Sequence, residues 1–139
     1  MREIKAEAGN LAKYRVERSE EDYNAAILLF ENDDYRAANN RAYYSIFHSL
    51  RAVLALDEYD SKKHSGIISE FRKRYVKTGI FSGEISDIIG DAFEIRNFSD
   101  YDDMFIASRS QTEEQIKNAK RVMDAVIGYL TKQGIIGGK

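Results

Sequence analysis

The chain has 139 residues, 43% of them hydrophobic and 32% charged, with a net charge of −2, a composition that fits one buried core and excludes a disordered chain. It contains no cysteine, which excludes a disulfide framework, a thiolate metal site and a cysteine nucleophile. The slight net negative charge argues against a coat that works by neutralising phosphates, and the charged N-terminus MREIKAEAGN, with no apolar run near the ~20 residues of a membrane span, places the chain in the cytoplasm and off the membrane.

Proline is absent, and glycines gather at Gly79, Gly83 and the terminal GIIGGK, so nothing interrupts the long periodic segments. The expected organisation is a single domain over residues 1–139, with its core over about 11–132 and a flexible tail at 133–139. The first helix is predicted from Leu11 to Glu31, with Tyr23, Ala26, Ile27 and Phe30 on one face. Asn32, Asp33 and Asp34 supply turn and N-cap chemistry. A second helix from Tyr35 to Leu56 repeats Tyr43, Ile46, Phe47, Leu50, Val53 and Leu54 at helical spacing and is expected to be the most buried.

A third helix is predicted from Ser61 to a glycine stop at Gly79, carrying Ile67, Ile68 and Phe71. A fourth starts at the cap Ser82, and its stripe of Ile85, Ile88, Ile89, Ala92 and Phe93 continues into Arg96. After a loop at about Asp100 to Ala107, a fifth helix from Ser110 to Lys132 opens with Ser110 and Glu113 at capping-box spacing. Four long helices and one shorter insert predict an all-α, antiparallel up-down four-helix bundle with an additional short helix.

Arg96 stands where an apolar residue belongs, and a buried guanidinium needs a partner. Two readings stand: an ion pair or helix cap with Asp100 one turn on, or bidentate contact with a phosphate. The second helix carries a polar row of Asn40, Tyr44, His48 and Arg51 beside Arg41, either a wet face or an aromatic and cationic surface for stacking a base and holding a phosphate. His48 and His64 are the only histidines, and for each the choice is between a structural role and acid–base chemistry. From Lys62 to Lys77 six basic residues face one acid, Glu70, which fits either an anion site or a solvated face. Asp100, Asp102 and Asp103 lack the spacing of a calcium loop, and no cofactor or metal motif is present.

The run DDYRAANNRAYYSIFHSLRAVL, followed by KKHSGIISEFRKRYVKTG and FEIRNFSDYDD, resembles the HEPN family over about residues 11–130, and most closely its stand-alone prokaryotic branch, often encoded beside a minimal nucleotidyltransferase. The resemblance implies a helical domain, commonly a homodimer, with a polar motif at the dimer cleft. Many members are metal-independent ribonucleases or toxins in which an arginine and a polar residue are followed, a few residues on, by a histidine. Arg96 and Asn97 match the start of that motif, but Tyr101, Asp102 and Asp103 stand where the histidine falls. A tyrosine, with a pKa of about 10, is poorly tuned as a general base at neutral pH.

The resemblance therefore implies the HEPN half of a two-gene, toxin–antitoxin-like system with a nucleotidyltransferase partner. It would bind nucleotide or RNA at a dimer cleft built from Arg96, Asn97, Asp100 and Tyr101, with Tyr44 and His48 alongside. Two alternatives stay open. One is a metal-independent endoribonuclease using Arg96 and Tyr101; the other is a dimerisation module in which Arg96 pairs with Asp100 or Asp102 of a second copy and no ligand binds.

Overall fold

A computed structural model describes residues 3–101 and 106–137, the side chains of residues 100 and 101 excepted. Among the described residues the chain is all helix and turn: α1 (Ala6–Glu31), α2 (Tyr35–Ala55), α3 (His64–Phe71) running into a π-helical turn (Arg72–Val76), α4 (Gly83–Tyr101) and α5 (Arg109–Lys132). The antiparallel bundle predicted from periodicity is the fold observed. α2 is its central helix, packed against α1, α3, α4 and α5. Its predicted stripe of Tyr43, Ile46, Phe47, Leu50, Val53 and Leu54 is buried throughout.

The α1–α2 seam is built from small residues. Ser19, Ala26, Ala38, Ala42, Ser45, Ser49 and Ala52 are all buried, which lets the two backbones come close. The serines keep their hydroxyls satisfied, since Ser19 Oγ donates to the Ser45 carbonyl at 2.7 Å and lies 2.7 Å from Ser49 Oγ. Between the helices, Asp33 takes a left-handed φ of 62° and Asp34 accepts the Ala37 N–H at 3.3 Å, the turn-and-cap pairing expected of that acidic run.

Four boundaries depart from expectation. α1 begins at Ala6 rather than Leu11, because Ala8, Gly9 and Ala12 are buried against the bundle. A Cβ at Gly9 would lie 3.3 Å from Ile135, and both Ile135 and Ile136 pack back onto the core beyond α5. The third helix starts at His64, not Ser61, and its last turn widens: the Lys77 N–H reaches the Arg72 carbonyl at 2.9 Å, a π-type bond. Gly79, at φ 82°, then turns the chain. α4 continues through Tyr101, so Asp100 and Tyr101 belong to a helix and not to a loop. The cap of α5 is Ser108, which accepts the Gln111 N–H at 3.0 Å, rather than Ser110.

Candidate functional site

The register set by the Asp33–Asp34 turn runs Asn40, Tyr44, His48 and Arg51 along one side of α2, beside Arg41. All five are half-buried, so this row is not an open wet face. Phe47 and Tyr43 lie next to it, both buried.

Two residues from other helices converge on these rings. His64, the first residue of α3, stacks on Phe47 with ring centroids 4.0 Å apart and planes 22° apart. Its Nδ1 lies 2.8 Å from the Tyr43 hydroxyl, and it meets Tyr44 edge-on at 5.8 Å. From α4, the Arg96 guanidinium sits over the Tyr43 ring at 5.4 Å, a cation–π contact. The Tyr43 ring thus connects a guanidinium from α4 with an imidazole from α3, and Tyr44 packs edge-on against it at 5.3 Å. The end of α4 is tied to the start of α2 by Arg36, whose Nη2 donates to the carbonyl of the buried Ser99.

The site opens on two sides. On one, Phe47, Arg51, Asp60, Ser61, Lys62 and His64 line a cavity of about 550 Å³. Asp60 orders its wall, accepting from Arg51 Nη2 at 2.9 Å, from the buried Arg15 at 3.2 Å and from the Ser61 N–H at 2.9 Å. Burial alone would raise the Asp60 carboxyl, but the Arg51 and Ser61 hydrogen bonds and the charges of Arg51 and Arg15 hold it below its ordinary value. On the other side, Ser65, Ile68, Ser69, Arg72, Lys73, Lys77 and Phe93 line a groove of about 380 Å³ between α3 and α4. The basic segment therefore shares the site's side of the molecule. Its arginines are committed to the fold: Arg72 donates to Ser86 Oγ and the Ser86 carbonyl at 3.0 and 3.1 Å, and Arg74 pairs with Glu70 at 2.8 Å. Lys62, Lys63, Lys73 and Lys77 stay exposed.

The other histidine belongs to the α1–α2 seam. Asp22, only 6% exposed, pairs with Arg41 Nη1 at 3.0 Å and lies 3.5 Å from His48 Nε2. Burial, together with the charges of Arg18, Arg51, Arg15 and Arg41, lowers the His48 pKa to about 4, although the Asp22 carboxylate lies 3.5 Å away. His48 is neutral at neutral pH and lies beside Asp22 on the α1 side of α2. An unfolded histidine titrates near 6.5, so acid favours the unfolded chain as pH falls from about 6.5 to about 4. We expect wild-type stability to be full above that window and to decline through it by up to about 3 kcal/mol. His48→Gln should flatten the decline in urea titrations at pH 7, 5.5 and 4.

The remaining predicted residues are placed as follows. Asn97 is half-buried on α4 and makes no side-chain hydrogen bond among the described residues. The side chains of Asp100 and Tyr101, and all of Asp102 and Asp103, lie outside the described residues, as does any pairing of Arg96 with Asp100. The sequence pattern assigns Tyr43 and Phe47 to the core and leaves His64 between a structural role and acid–base chemistry. The signal for them is the Tyr43–Tyr44 doublet, which places one ring inside the bundle and the next at its edge.

The geometry offers a cation, an imidazole and aromatic edges between two lysine-bearing openings, a set suited to holding phosphate and stacking bases. Among the described residues no helix is long and apolar enough to cross a membrane. Residues 12–130 match the family model of the HEPN domain. The chain is 28% identical over 124 residues to "Putative toxin MJ0142" of Methanocaldococcus jannaschii, covering 89% of this chain and 84% of that one. It is 29% identical over 120 residues to a "UPF0332 protein" of Thermotoga maritima, covering 86% and 91%. To "Putative toxin MJ0605" of Methanocaldococcus jannaschii it is 41% identical over 86 residues, covering 62% and 64%.

Proposed function

We propose, because this chain belongs to the HEPN domain family, that it is a toxin-like protein that seats single-stranded RNA on the face formed by α2, α3 and α4. Two of its relatives carry toxin names, which agrees with this reading. Arg96 holds a phosphate, Tyr44 and the Phe47–His64 stack receive bases, and Lys62, Lys73 and Lys77 steer the flanking backbone. Asn97, Asp100 and Tyr101 complete the α4 side of the seat. Phe98, 49% exposed two residues beyond Arg96, gives a second copy an apolar contact along α4, so the working unit is a homodimer, and a nucleotidyltransferase is its neutralising partner.

The observation that carries this reading is the convergence of Arg96 and His64 on one buried tyrosine ring. The competing account, a dimer seam without ligand, gives no reason for exposed lysines on both sides of that point. Fluorescence anisotropy with a mixed-sequence RNA in rising salt separates them. Arg96→Ala should bind about tenfold more weakly or worse, as expected for losing a charge-assisted contact, with a salt slope reduced by about 0.7 and an unchanged melting temperature. Equal affinity in the two proteins would reject the proposed seat.

A further inference from the structure

We infer that the groove between α4 and α5 is a docking site for a protein partner that presents a helix bearing lysine or arginine side chains. The inference stands apart from the RNA reading, because it concerns residues of α4 outside the stripe that carries Arg96.

Two helices supply matching walls. Asp91, Glu94 and Ile95 of α4 and Gln111, Glu114 and Gln115 of α5 line a groove of about 610 Å³, larger than either opening of the RNA site. On each helix the three positions fall at offsets 0, 3 and 4, so each wall is one continuous stripe. Phe98 and Asn118 carry both stripes on to offset 7, which makes the groove about 10 Å long, two turns of a docked helix. α4 and α5 each pack more on α2 than on one another, and the space between the two stripes stays open.

The chemistry of that space selects the partner. Asp91, Glu94, Glu113 and Glu114 are exposed along it, and no lysine, arginine or histidine lines it among the described residues. Of the four, only Glu113 makes an ion pair among the described residues, with Lys117 of the same helix at 3.4 Å. The groove therefore repels the phosphates that the lysine-bearing openings attract, and it complements a row of cations. A separate observation lies in its wall. Gln115 is 2% exposed, and its Nε2 is buried with no hydrogen-bond acceptor among the described residues. An unpaired buried donor costs stability, and an acceptor carried into the groove by a partner would satisfy this one. Ile95 and the exposed Phe98 add apolar surface between the charges. A small cation brings no acceptor and no apolar surface, and nucleic acid is repelled by the carboxylates. One face of a basic helix brings ammonium groups, side-chain acceptors and apolar contacts together.

The test titrates the full chain into a fluorescein-labelled, alanine-based helical peptide of about 20 residues with lysine, leucine and glutamine along one face, beside a scrambled peptide of the same composition. Wild type should bind the ordered peptide at least about tenfold more tightly than the scrambled one. Glu94→Lys with Glu114→Lys should weaken that binding at least about tenfold, since attraction becomes repulsion. Glu17→Lys with Glu31→Lys, the same change of net charge at exposed positions of α1, should leave it within about twofold. Gln115→Met removes the unpaired donor at similar volume; it should keep or raise the melting temperature while weakening the peptide about fivefold, the scale of one neutral hydrogen bond. Failure of wild type to bind the ordered peptide overturns the inference, as do equal binding of the two peptides, equal loss in the two charge-reversed proteins, or undiminished affinity in Gln115→Met. A change of oligomeric mass in Glu94→Lys with Glu114→Lys, read by light scattering, assigns the groove to a second copy and overturns it as well.

Discussion

Phe71→Ala is expected to cost about 3 to 5 kcal/mol of stability, as for a large aromatic side chain removed from a closed core, and to weaken RNA binding although Phe71 lines neither opening of the site. Phe71 is 0% exposed and packs on Phe81 at 5.1 Å and Tyr75 at 5.6 Å, just where α3 passes into the π-helical turn. That junction anchors the C-terminal end of α3, and His64, at the other end, packs on Phe47 and Tyr44 of α2. With the anchor gone, α3 can shift, and the Phe47–His64 stack and the His64–Tyr43 hydrogen bond loosen with it. Urea denaturation reads the first effect. Anisotropy at a temperature where the variant remains folded reads the second, and a destabilised variant with undiminished affinity would show that α3 does not position the site.

Arg41→Leu should destabilise the protein by about 3 kcal/mol, the low end of the range for a broken buried ion pair. The low end applies because the Arg41 side chain is itself 36% exposed, whereas that of Asp22 is 9% exposed and cannot reach water when its partner leaves. His48 cannot compensate: at neutral pH it is uncharged, its pKa lowered to about 4 by burial and surrounding arginines. If the uncompensated carboxylate is the cause, the double variant Arg41→Leu with Asp22→Asn should recover most of the loss, since the amide carries no charge and still offers a hydrogen-bond partner to His48. A double variant as unstable as Arg41→Leu alone would place the cost in packing of the arginine stem over Tyr44, where the guanidinium lies 5.0 Å from the ring.

The helices were legible because their apolar positions repeat at helical spacing over many turns, and the family resemblance rested on motifs whose order survives in the sequence. What escaped was set by tertiary contacts. The π-helical turn at Arg72–Val76 has no local signature; Arg72 is pulled onto Ser86 of α4 and Tyr75 into a ring cluster with Phe81, and the backbone widens between them. The cap of α5 fell to Ser108 rather than Ser110, although only Ser110 has a glutamate at capping-box spacing, because Ser108 also anchors Thr112 through its carbonyl, at 2.7 Å, and Thr112 holds the buried Asn39 at 2.8 Å.

The site shows the same division. Arg96 was conspicuous as a charge ending an apolar stripe, a purely local anomaly. His64 carries no such mark, since it lies 32 positions before Arg96 in the chain and Tyr43, in the middle of α2, brings them together. His48 shares the polar row of Tyr44 and lies 3.5 Å from Asp22 at the α1 seam, a contact between helices that no spacing within α2 could reveal.

The most direct test of the central claim, that RNA sits on the α2–α3–α4 face around Tyr43, is photocrosslinking of 4-thiouridine RNA to the wild-type protein followed by peptide mapping. The account predicts crosslinks on Tyr44, Phe47, His64 and Phe93, lost in competition with unlabelled RNA and weakened in Arg96→Ala. Crosslinks confined to α5 or to the outer face of α1, with none on those four residues, would contradict it.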